Sequence, residues 1–110
     1  MWNHESPEYY ASKLPKLYET ESVSPQDKII HEHLFIGNCD WFAAEFGLEE
    51  QLFFGYAILN GDYQMAEWGY FSLPELESIN VNGFEVDRDL FWKPKKASEI
   101  EQICLGEGWK

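Results

Sequence analysis

The sequence predicts an α+β fold: an antiparallel meander sheet of about five strands, with short helices packed at the end of the chain. Three observations carry this. From Lys28 to Leu59, runs of β-branched, aliphatic and aromatic residues are broken at short intervals by Gly, Asn and Asp. Two Asn-Gly pairs, Asn60-Gly61 and Asn82-Gly83, supply the positive-φ positions that tight hairpins need. Two boxes, Ser72-Leu73-Pro74-Glu75 and Ser98-Glu99-Ile100-Glu101, match the N-terminal signature of a helix. With 110 residues, 45% of them hydrophobic, the chain fits one domain over residues 1–110.

In chain order, Ser6-Pro7 suits the cap and first position of a short helix. Residues 1–12 read equally as a loose arm. Leu14, Leu17 and Tyr18 anchor the next segment, and a polar loop from Ser22 to Asp27 separates it from the sheet. Strands are expected over Ile29–Ile36, Asp40–Phe46 and Leu52–Leu59, divided by Gly37-Asn38 and by Gly47 to Glu50. Asn60-Gly61 is the strongest hairpin signal and leads into a returning strand, Tyr63–Phe71. A short helix then runs from about Leu73 to Ile79. Asn82-Gly83 turns the chain into a fifth strand, Phe84–Trp92, which Pro94 ends. In the terminal helix Ile100, Ile103 and Cys104 form a narrow apolar stripe.

Charge is distributed unevenly. Residues 29–87 hold no lysine or arginine, yet they include Glu32, Asp40, Glu45, Glu49, Glu50, Asp62, Glu67, Glu75, Glu77, Glu85 and Asp87. The net charge of −12 opposes binding to nucleic-acid phosphates, which requires clustered cations, and favours a basic protein partner. A 17% aromatic content argues against disorder at this charge. The aromatics are too many for one side of a small sheet, so some are exposed or covered by flanking segments. No run approaches the ~20 apolar residues of a membrane span, and the N-terminus lacks a signal-peptide pattern. Cys39 and Cys104 follow no metal or redox spacing and read as reduced thiols. A cytoplasmic location follows.

Few residues invite chemistry. His31 and His33 sit two apart on a predicted strand and would share a face, with Cys39 as a third ligand across the turn. No second cluster supports a metal there, and the plainer reading is two half-exposed histidines on an edge strand. Glu49-Glu50 and the pair Glu75 and Glu77 lack any mark of the burial that acid/base work needs. Neither Ser72 nor the cysteines have a recognisable base, so no catalytic residues and no cofactor are assigned.

Arg88, the lone arginine, lies between Asp87 and Asp89, and strand alternation turns it to the side of Val86 and Leu90. There it needs a carboxylate, and Glu67 or Glu45 on neighbouring strands are the expected partners in a structural ion pair. The same alternation aligns Glu85, Asp87 and Asp89 about 6.8 Å apart, a ladder of negative charge able to face a basic partner. A solvated strand face kept charged against aggregation explains the ladder as well.

Several strings together resemble a known family: Leu14-Pro15-Lys16-Leu17-Tyr18-Glu19-Thr20-Glu21, Trp41-Phe42-Ala43-Ala44-Glu45-Phe46, Phe53-Phe54-Gly55, the stretch from Glu67-Trp68-Gly69-Tyr70 to Glu77, and Arg88-Asp89-Leu90-Phe91. The chain is similar, over about residues 13–100, to an uncharacterised family of small single-domain bacterial proteins common on plasmids, phages and conjugative elements. Trp68 departs from the leucine-like residue expected before Gly-Tyr. The resemblance implies a domain without an assigned enzymatic activity and supplies no catalytic residues. It implies a mobile-element setting, where small acidic proteins often inhibit host defence.

The leading expectation is a non-enzymatic acidic domain that binds a basic, nucleic-acid-handling protein through Glu85, Asp87 and Asp89. The alternative is a small enzyme or ligand-binding domain using an aromatic-lined pocket with Glu45, Glu67 or Arg88. Neither reading sets an oligomeric state.

Overall fold

The computed structural model describes residues 5–109. Helix α1 (Pro7–Lys13) starts where Ser6 Oγ accepts the Tyr9 amide proton at 3.2 Å, with Pro7 placed where a missing N–H costs nothing. Tyr10 is fully buried from this helix, its ring edge-on to Phe53 at 5.1 Å. Residues 5–12 are therefore a packed segment rather than a loose arm; residues 1–4 lie outside the described part.

The strands are β1 (Ile29–Ile30), β2 (Glu32–Ile36), β3 (Cys39–Gly47), β4 (Leu52–Ile58), β5 (Glu67–Ser72), β6 (Asn80–Val81), β7 (Phe84–Glu85), β8 (Asp87–Arg88) and β9 (Lys95–Lys96). Five form an antiparallel sheet in the order β5-β4-β3-β2-β8. Helix α2 (Leu73–Ser78) and the β6–β7 hairpin carry the chain from the β5 edge to the opposite edge, where β8 adds beside β2. The Ser72 cap forms as expected, its Oγ accepting the Glu75 amide proton.

From Trp41 to Gly47 every residue of β3 is buried, because both faces of the sheet are covered there. One core holds Tyr10, Leu14, Leu34, Trp41, Phe46, Phe53, Leu73 and Leu76, beneath α1 and α2. The other holds Ile30, Phe42, Ala44, Tyr56, Ile58, Ile100 and Ile103, beneath α3 (Glu101–Glu107). A bulge at Ala44 shifts the register, so that Phe46 meets Phe53 in the first core and Glu45 is turned to the other face. Two covered faces explain the aromatic excess.

Several boundaries differ from the sequence reading. The Ile29–Ile36 strand breaks at His31, whose N–H goes to Ala43 O at 2.8 Å while β1 pairs with β9. The returning strand starts at Glu67 instead of Tyr63, since the Asp62 carboxylate accepts the Gln64 and Met65 amide protons and winds that stretch into a turn. Asn60-Gly61 has the expected positive φ but sits in a longer loop, because the register pairs Ala57 with Glu67. The two-residue hairpin is Asn82-Gly83, φ 54° and 87°, between paired Val81 and Phe84. The final helix opens as a 3-10 turn, Ala97–Glu99, with the Lys96 N–H donating to Glu99 Oε1 at 2.9 Å.

Candidate functional site

The fifth strand supplies the site, though not as one strand. It divides at Val86, which drops into the α1-side core, leaving Glu85 on the β7 hairpin and Asp87 and Arg88 in β8 at the sheet edge. Arg88 lies opposite Leu34 and Asp87 opposite Phe35, and Asp89 N–H donates to His33 O at 2.9 Å. Alternation on these two strands sorts the polar side chains to opposite faces.

On the α1 face, Arg88 Nη1 lies 3.5 Å from Glu32 Oε1 and Nη2 lies 3.3 Å from Glu5 Oε2, with the guanidinium 5.4 Å from the Tyr9 ring centre. Strand order excludes the partners expected from sequence. Glu45 is two strands away on β3 and Glu67 lies on β5 at the far edge. Glu45 instead accepts the Tyr18 and Thr20 amide protons at 2.9 and 3.0 Å and the Thr20 hydroxyl. Glu67 is exposed.

Burial raises the Glu32 carboxyl above the ordinary carboxylate value, opposed by Arg88 beside it. Burial also pushes the Tyr10 hydroxyl up to about 12. A hollow of about 290 Å³ opens here between Lys13, His31, Glu32, Arg88 and Trp92. Burial lowers His31.

On the opposite face His33 stands between two carboxylates. Its Nε2 is 2.7 Å from Asp40 Oδ1 and its Nδ1 is 3.2 Å from Asp89 Oδ2. Both carboxylates accept, so only the imidazolium donates to both at once. The ring stacks on Phe42, 4.6 Å apart and 6° from parallel, and lies 5.5 Å from Phe35. Asp89 Oδ1 also accepts the Phe91 amide proton at 3.0 Å, which holds the turn that lifts Phe91 off the surface.

Beside His33 is a hollow of about 410 Å³, bordered by Phe35, Asp40, Asp87, Asp89 and Phe91. A second, more apolar one of about 500 Å³ adjoins it at Phe35 and Asp87 and reaches Val81, Phe84 and Glu85. Phe91 is 92% exposed and Phe84 72%, and Leu90 and Val81 are exposed near them.

Asp87 and Asp89 thus share one concavity, while Glu85 borders the next; they are not an evenly spaced ladder along one strand. The sequence reading missed the His33–Asp40 pair, although both residues flank the Gly37-Asn38 turn at a spacing that a hairpin closes. It also missed Glu32, a buried carboxylate that alternation from Leu34 within β2 places on the α1 face. His31 and His33 do not meet over a common ligand set, and among the described residues no three His, Cys, Asp or Glu side chains are grouped to hold a metal ion. No helix among them is long and apolar enough to cross a membrane.

Comparison with known proteins gives one family. A family profile described as "Protein of unknown function (DUF2958)" matches residues 15–101. No curated protein and no solved structure matches the chain.

Proposed function

The chain belongs to the DUF2958 family of proteins of unknown function, and we propose that it is a non-enzymatic protein-binding domain whose docking face is the β8 edge with the adjoining β6–β7 hairpin. One observation carries this reading: Phe91 and Phe84 project, 92% and 72% exposed, on either side of Asp87. Large exposed aromatics beside a concavity are the anchors that protein interfaces bury. The acids that border the same concavities, within a chain of net charge −12, select a basic partner and speed its approach. Nucleic acid itself would be repelled. The setting proposed is a cytoplasmic, mobile-element accessory role, inhibiting a basic nucleic-acid-handling protein of a defence system; the resemblance of the strings supports it, and no single residue does.

The test is capture from a lysate of the native host at graded salt, with the wild-type chain beside Phe84→Ser/Phe91→Ser and Glu85→Gln/Asp87→Asn variants. The expected result is a basic partner retained at low salt, lost at high salt, and absent with either variant. Retention of the same partner by both variants removes this face from the proposal.

A second reading draws on the 290 Å³ hollow, where Arg88, Lys13 and His31 meet the buried Glu32. It makes the domain a small enzyme or ligand-binding protein. A stabilising shift in melting temperature with a small anion or zwitterion, abolished by Arg88→Gln, would favour it.

A further inference from the structure

We infer that the hollow beside His33 is a receptor for an arginine side chain of the partner, an inference that rests on the docking reading above. Three features of the hollow converge on a planar cation. The first is aromatic: Phe35 lies along one side, its ring stacked on His33, and Phe91 stands almost wholly exposed at the rim. A ring face attracts a cation, and a guanidinium stacks on it flat. The second is charge: Asp40, Asp87 and Asp89 come from β3, β8 and the turn after β8 to border one space of about 410 Å³. A guanidinium can bond two carboxylates in the plane of its fork while its face rests on a ring, whereas an ammonium is a point charge that does only one well.

The third is rigidity. His33 is packed on Phe42 and tied to Asp40 and Asp89, and Asp89 in turn holds the Phe91 amide, so both the carboxylates and the aromatic rim are set before a ligand arrives. Arg88 also borders the hollow, but its guanidinium is turned to the other face, to Glu32 and Glu5. The guanidinium of Arg88 is therefore directed out of the space. The more apolar concavity next door, with Phe84 and Val81, receives the residues that flank the arginine.

The experiment titrates the ¹⁵N-labelled full chain with N-acetyl-arginine amide, N-acetyl-lysine amide and N-acetyl-citrulline amide, the last matching arginine in shape without its charge. Arginine amide is expected to shift the backbone amides of Phe35, Asp40 and residues 87–91, lysine amide to do so several-fold more weakly, and citrulline amide not at all. Phe91→Leu keeps an apolar side chain on an exposed turn but removes the ring, and should weaken arginine binding about three- to fivefold. Asp40→Asn should weaken it further, and its spectrum away from the hollow reports whether the fold is intact.

Equal shifts from arginine and citrulline, or arginine shifts confined to other surfaces, overturn the inference. Its failure is distinguishable from failure of the docking reading: loss of the lysate partner by the Phe84→Ser/Phe91→Ser chain would stand even if no arginine entered the hollow.

Discussion

His33 Nε2 on β2 lies 2.7 Å from Asp40 Oδ1 on β3, across the Gly37-Asn38 turn, and its other nitrogen lies 3.2 Å from Asp89. The imidazole therefore ties the edge strand to the middle of the sheet. Asp40→Ala should cost about 1–2 kcal/mol, the range for a partly exposed hydrogen bond to a charged group. Urea denaturation checks it, and an unchanged m-value would show that the loss lies in stability and not in the compactness of either state. In a double-mutant cycle, His33→Gln with Asp40→Asn should show coupling, and strict additivity would remove the pair from the account.

Glu45 is 3% exposed and satisfies two backbone amides of the segment that precedes the sheet. Lys28 Nζ closes the same network on Thr20 O at 2.6 Å. Glu45→Ala strands these donors, for an expected loss of about 2–4 kcal/mol. Hydrogen exchange at Tyr18 and Thr20 should accelerate well before exchange in β3 and β4. Uniform acceleration across the sheet would mean that Glu45 holds more than this loop.

Gly55 and Gly69 face each other across β4 and β5, yet they have opposite tolerances. A β-carbon on Gly55 would collide with the Phe42 carbonyl, which is fixed by the sheet, while one on Gly69 meets nothing within 4 Å. Gly55→Ala should lose about 2 kcal/mol or more. Gly69→Ala should lie within about 0.5 kcal/mol of wild type. Thermal melts of the two variants side by side decide it.

Neighbouring residues give opposite pH slopes. Glu32 is raised above its ordinary 4.5 by burial, so the folded chain holds its proton more tightly than the unfolded one. Its contribution falls as pH climbs from 4.5 through the folded value. His31 is lowered below its ordinary 6.5 by burial, so its contribution is full above 6.5 and is lost as pH falls below it. Relative to wild type, Glu32→Gln should gain stability as pH rises, and His31→Asn should gain as pH falls. Denaturation from pH 4 to 8 measures both, and a flat difference for either variant would rule out burial as the cause.

Much of the local structure was legible from sequence. The Ser72 cap, the strand at Leu52–Ile58 and the positive φ at Asn60 and Asn82 follow from interactions within a few residues. Alternation likewise gave the sides that Arg88 and the flanking aspartates take. It does not carry across Ala44, where a bulge resets the parity, and the single strand expected over Phe84–Trp92 is cut in two at Val86. Asn60-Gly61 carried the stronger hairpin signal, but the Asp62 turn beside it lengthened the loop.

By itself the sequence determined a mostly antiparallel sheet with helical pieces, and an acidic middle that no lysine or arginine relieves. The tertiary structure decided who meets whom. Arg88 finds Glu32 and Glu5 instead of Glu45 or Glu67 because β8 crosses to the β2 edge, and that strand order comes from covering both faces of one sheet with helices that are distant in sequence. Hydrogen-bonding and steric preferences act over a turn or two and can be read along the chain. Partner choice between strands is set by burying the whole apolar surface at once, and no local stretch contains it.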